Sequence, residues 1–153
     1  MFPIIPANSV TADSGNDEGI FGYGYNNVSM TNLVSNTGVV SSDVAGVGTG
    51  RHYLAACEYG GDKGIFGYGY SGVTAVTNLV SNTGVVGTDV TGVGTARGFL
   101  VACEYGGDKG IFGLGYTSAG ASADYSLTNL VSNAGVVATD TTGVGTARYS
   151  SSM

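Results

Sequence analysis

Tryptophan is absent from this chain of 153 residues, histidine occurs once and proline twice. Lysine and arginine together number five against eleven acidic residues, giving a net charge of −6. So few cations cannot form the basic stripe that neutralises phosphates, which excludes a nucleic-acid partner. The same shortage excludes binding to an anionic membrane surface. No run of apolar residues approaches the ~18 needed to span a bilayer as a helix. The opening Met1-Phe2-Pro3-Ile4-Ile5-Pro6 has no basic segment and holds both prolines, so it does not read as a cleaved signal peptide. With one histidine and no Cys-x-x-Cys pair, zinc is not indicated. No nucleophile stands beside a base, so the chain offers no triad and is not expected to be an enzyme or to need a cofactor. Charged residues make up 10%, against about 25% in ordinary soluble domains. A surface this poor in charge suits a protein packed in an assembly or exposed outside a cell.

What the chain has in abundance is glycine, 28 residues, and tyrosine, ten. Both fall into an internal repeat, the feature to seek first. Gly19-Ile20-Phe21-Gly22-Tyr23-Gly24-Tyr25 recurs at 64–70 and, with Leu114 for Tyr, at 110–116. Thr31 to Val40 recurs at 77–86 and, with Ala134 for Thr, at 128–137. Each unit closes on Gly-Val-Gly-Thr-(Gly/Ala)-Arg, at Arg51, Arg97 and Arg148. The period is about 46 residues. Each unit parses into four short strands: A (Tyr53 to Tyr59, Phe99 to Tyr105), B (Gly64 to Tyr70 and its copies), C (Thr77 to Ser81 and its copies) and D (Val85 to about Val90). Tyr-Gly-Gly-Asp-Lys-Gly between A and B is hairpin chemistry, and Ser-Asn-Thr-Gly between C and D is a second turn. On strand B, alternation puts Ile65, Gly67 and Gly69 on one face and Phe66, Tyr68 and Tyr70 on the other. A bare face lets the bulky face of the next sheet approach closely.

These residues resemble kelch repeats, units of about 50 residues and four strands. Arg97 precedes Phe99-Leu100-Val101-Ala102, and Lys109-Gly110-Ile111-Phe112-Gly113 stands where kelch units carry an apolar segment ending in a glycine doublet. The doublet is displaced into Gly-Tyr-Gly, and Val85-Val86 occupies the place of the usual tryptophan. The resemblance implies an all-β fold of three four-stranded antiparallel propeller blades: blade 1 at about 3–47, blade 2 at about 51–93, blade 3 at about 97–144, with 145–153 starting a further strand. Gly/Tyr-rich arrays of this type resemble those of phage tails and other virion proteins, which implies a non-enzymatic structural role in a virion or extracellular assembly. Copper chemistry of the galactose-oxidase kind needs at least two His ligands, and the chain has one.

Three blades cannot close a ring, since propellers have about four to eight. A homodimer would close six with two-fold symmetry; a longer parent array or docking on a different chain are the alternatives. The copies differ most between B and C, where the last unit carries Thr117 to Ser126 as an insert. That loop shares a face with the D–A connection, hence with Arg51, Arg97, Arg148, His52 and Tyr125, the candidate ligand-binding residues for a surface glycan. A ring of arginines would suit a carboxylated or sulfated sugar. The competing reading of the arginines is structural: an ion pair to Asp43, Asp89 or Asp140, copied in every unit. One carboxylate per unit is too few for calcium. Asp62-Lys63 and Asp108-Lys109 are expected to be solvated turn residues. Cys57 and Cys103, in identical strings, are expected to be buried free thiols.

Overall fold

A computed structural model describes residues 17–118 and 123–149. The start of the first unit, the middle of the Thr117 to Ser126 insert and the end of the 145–153 segment lie outside the described residues. Within them the protein is all-β. The first unit pairs β1 (Gly19–Gly24) with β2 (Val28–Val34). The second forms the antiparallel order β3 (Ala55–Tyr59), β4 (Lys63–Gly67), β5 (Thr77–Val80). The third repeats it with β6 (Val101–Tyr105), β7 (Lys109–Gly113) and β10 (Thr128–Val131). Its B–C insert adds a small pair, β8 (Tyr116–Thr117) with β9 (Ala123–Asp124).

The expected turns form where the glycines permit them. Tyr59 pairs with Lys63 across a loop in which Gly60 and Gly61 both have positive φ (66° and 78°). Gly84, at φ 75°, closes the C–D turn by donating to the Ser81 carbonyl at 3.0 Å. Strand D is weaker than its valines suggest. It meets strand C at isolated bridges, Val80 with Val86 and Thr77 with Val90, and through the Gly87 amide donating to the Leu79 carbonyl at 2.8 Å. Between them the Asn78 side chain donates to the Gly87 carbonyl at 3.1 Å, taking the place of a ladder bond.

Strand B ends at Gly67 and Gly113 in the second and third units, earlier than its alternation predicts, and in the first it is interrupted by a bulge between Gly22 and Gly24. Tyr23, Tyr68 and Leu114 have φ of 64°, 63° and 62°, a left-handed turn that costs a side-chain-bearing residue about 1–2 kcal/mol. Burial and bonding offset it: Tyr68 is wholly buried, its amide donates to the Val76 carbonyl at 2.9 Å and its hydroxyl to the Val93 carbonyl at 3.1 Å.

The core lies mainly between the units. Phe112 of the third unit sits on Gly67 of the second, where an added Cβ would come within 2.6 Å of the ring. Phe66 of the second sits on Gly22 of the first in the same way, at 2.9 Å. Each phenylalanine meets the neighbouring unit's tyrosine edge-on, Tyr23 with Phe66 at 5.1 Å and Tyr68 with Phe112 at 5.2 Å. Bare glycine under a bulky ring is the stacking that strand B foretells. Leu33 packs on Gly84, and Leu79 on Gly135, across the same two boundaries.

Candidate functional site

The polar residues that stand out in the sequence converge on the two boundaries between units. At the first, Arg51 is completely buried; its Nε donates to the Tyr68 carbonyl at 2.8 Å and its Nη1 to the Thr49 carbonyl at 3.0 Å. Its guanidinium lies 4.4 Å over the Tyr23 ring. At the second, Arg97 is also completely buried. It donates to Leu114 O at 2.7 Å, Thr95 O at 3.0 Å and Asn129 Oδ1 at 2.8 Å, and lies 4.5 Å over Tyr68. The rigid fork of guanidinium donors, and its weak hydration, suit it to a buried site of carbonyls and an aromatic face. In the first boundary Arg51 Nη2 and Asn78 Oδ1, the counterparts of the bond at 2.8 Å, are buried without a partner.

The expected ion pair between these arginines and the repeated aspartates does not form. The ion pairs among the described residues are Lys63–Asp62 and Lys109–Asp108. Asp89 instead accepts from the Thr49 amide at 3.1 Å, the Thr49 hydroxyl at 2.6 Å and Asn78 Nδ2 at 2.9 Å. Asp140 accepts the same set from Thr95 and Asn129. Neutral donors satisfy the carboxylate while the arginine turns to carbonyls. Burial by itself would raise the Asp89 and Asp140 pKa values, but these hydrogen bonds outweigh it and hold both below the usual carboxylate value. Burial pulls Arg51 below its ordinary value, with Tyr23 opposing.

Of the five candidate ligand residues, Arg51 and Arg97 are therefore unable to touch a ligand, contrary to the idea of an arginine ring. Arg148 is exposed and makes one of the three kinds of bond its copies make, Nη1 to the Thr146 carbonyl at 3.1 Å. Tyr125 is half-buried and meets Arg148 through the backbone, accepting from its amide at 3.4 Å. His52 is half-buried and lies elsewhere, with Nδ1 2.8 Å from Asn27 Oδ1. The structure does not gather the five into one site.

The D–A and B–C segments do share an edge. His52 pairs with Tyr70, and Gly98 with Tyr116. What lines that edge is a row of rings. Tyr53 stacks on Phe99 at 3.8 Å, His52 lies 4.5 Å from Tyr53, and Tyr116 lies 5.1 Å from Tyr149. Tyr53 and Phe99 share a left-handed φ of 53°. Gly98 lets the Tyr70 ring lie directly on its backbone, since a Cβ there would be 2.2 Å from Tyr70 Cδ2. The other copies of that position are His52 and Tyr149, which carry rings of their own, and Tyr25 stays 73% exposed beside His52.

Two smaller expectations change. Asp62 and Lys63 contact each other, and Asn82 Nδ2 donates to Asp62 at 3.2 Å; they tie the A–B turn to the C–D turn rather than merely facing solvent. Both cysteines are free, but only Cys57 is sheltered; Cys103 is exposed. Burial pushes the Cys57 thiol up to about 12. Sγ of Cys57 lies against Gly110 of the third unit, at 2.5 Å from where a Cβ would stand. A cleft of about 220 Å³ opens between the first two units, lined by Ile20, Leu33, Ala56, Glu58, Ile65 and Phe66 among others. No cluster of three or more metal-ligating side chains occurs among the described residues.

Comparison with known proteins finds no matching family model and no matching curated protein.

Proposed function

We propose that the chain is a non-enzymatic scaffold, a set of kelch-like propeller blades serving as a structural component of a virion or extracellular assembly. One observation carries this reading. At both internal boundaries the repeated Thr, Arg, Asp and Asn side chains, the most regular polar residues of the chain, are engaged in fastening one unit to the next. A six-bladed ring of two chains is the closure that the blade count favours. Particle fractionation tests the role. The protein should be enriched with purified particles from the source culture, as measured by quantitative proteomics; recovery only from the particle-free soluble fraction would defeat it.

A second reading rests on the aromatic edge. Half-exposed rings in a row, with Tyr53 at 45% and Tyr149 at 48% exposure, present flat apolar faces with hydroxyl tips, suited to stacking on sugar rings. A glycan array decides it: binding that is lost in Tyr53→Ala supports a lectin-like module, and silence across the array removes it.

A further inference from the structure

The two boundaries inside the chain define a joint with a front half and a back half. The back half is a leucine on strand C, then a Gly-Thr-x-Arg segment. The front half is a phenylalanine on strand B, an Asn–Asp pair, and a glycine in the C–D turn. Each half appears once more, at opposite ends of the described chain, without its complement.

At the front of the first unit, Phe21 is 64% exposed, whereas its copies Phe66 and Phe112 are 5% and 0% exposed. Asp43 accepts from Asn32 at 2.8 Å as its copies accept from Asn78 and Asn129, but no threonine among the described residues reaches it. Among the described residues Gly38 has nothing within 4 Å of a Cβ position, whereas Gly84 and Gly135 are covered by Leu33 and Leu79. At the back of the third unit the missing pieces are present. Leu130, the copy of Leu33 and Leu79, is 40% exposed. Gly145, whose copies Gly48 and Gly94 touch the aspartate and asparagine of the next unit, has nothing within 4 Å among the described residues. Arg148 already holds the bond to Thr146 O that Arg51 and Arg97 make when docked.

We infer that the back of the third unit of one chain docks on the front of the first unit of a second copy, rebuilding the internal joint between molecules. Thr146 takes Asp43, Arg148 turns to the Tyr23 carbonyl and Asn32, and Leu130 covers Gly38. The contact is heterologous: the two faces differ, and each chain offers both. Opposite charge supports the pairing, with Arg148 on one face and Asp43 on the other. The inference rests on the scaffold reading above, and names the partner that the scaffold takes.

Sedimentation analysis of the 153-residue chain, together with Phe21→Ser and Leu130→Ser, tests it. Both substitutions fall on exposed side chains, and circular dichroism checks that each variant folds. The wild-type chain should form species of at least twice its 15.2 kDa mass. Each variant alone should be monomeric, because either substitution spoils every contact of a head-to-tail assembly. An equimolar mixture of the two should recover pairs, since one intact front and one intact back remain. Alkylation followed peptide by peptide gives a second readout. Cys103 should be protected in the wild-type assembly and react freely in Phe21→Ser, with Cys57 protected in both. A wild-type chain that stays monomeric, variants that associate like wild type, or a mixture no larger than its components would each overturn the inference. A monomer that still fractionates with particles would sink the docking and spare the scaffold. Docked chains found only away from particles would do the reverse.

Discussion

At the scale of the residue, the arginines are the instructive case. Their regular spacing marked them as parts of the unit, and that much was legible, because a charge copied in every unit belongs to the unit. Their partners were not legible. Sequence spacing pairs the nearest opposite charges, whereas burial rewards whichever donors and acceptors can be satisfied together. Thr49 was overlooked because a threonine carries no charge, yet its amide and hydroxyl take the Asp89 carboxylate. Two outcomes follow. Arg97→Ala strands the Leu114 carbonyl and Asn129 Oδ1 in a buried joint, and should cost about 3–5 kcal/mol in urea unfolding, as for other broken buried charged networks. Arg148→Ala, on an exposed side chain, should change the unfolding free energy of the monomer by less than about 0.5 kcal/mol.

At the scale of the element, the glycines of strand B carry the packing. The alternation of bare and bulky faces predicted how units stack, and Gly67 beneath Phe112 is that prediction in atoms. Gly67→Ala forces a methyl group into the ring and should lower stability by about 1–3 kcal/mol, read from thermal melts. The left-handed turn at Tyr68 was hidden, since tyrosine is a strand former and local preference argues for continuing. Only the joint explains it, because the turn places the Tyr68 ring under Arg97 and its hydroxyl on Val93. Strand D was over-read for a related reason. Its valines have strand propensity, but the segment between them is held by the Asn78 side chain instead of a continuous ladder.

At the scale of the molecule, the joints make stability depend on acid. Asp89 and Asp140 have folded pKa values held below the ordinary 3.8. Their contribution is therefore complete above about pH 5 and is lost as pH falls through the lowered folded values. Thermal midpoints across an acid series should fall in that window, and Asp89→Asn should flatten the fall. Glu58 acts in the opposite sense. Burial, then the neighbouring Glu104, raises its pKa above 4.5, so its ionisation subtracts stability as pH rises through the folded value. Glu58→Gln should remove that loss and leave the acid-side loss in place. The all-β class and the repeat were legible throughout, because glycine, tyrosine and turn signals recur at a fixed period. The aromatic edge was not, because it joins residues of successive units that no single unit contains.

Because both joints use equivalent residues and share all but one of these bonds, the one Arg97 makes to Asn129, neither can tell which unit it is fastening. Thr49 and Arg51 would find in the third unit what they find in the second: an aspartate, a turned carbonyl and a bare glycine. Deleting residues 52–97, one period of 46, should leave a shorter chain that folds around a single joint. Duplicating the same stretch should lengthen it by one unit without redesign. The protein's size is thus a countable quantity, free to change in whole steps, and the curvature and capacity of anything built from it change with that count.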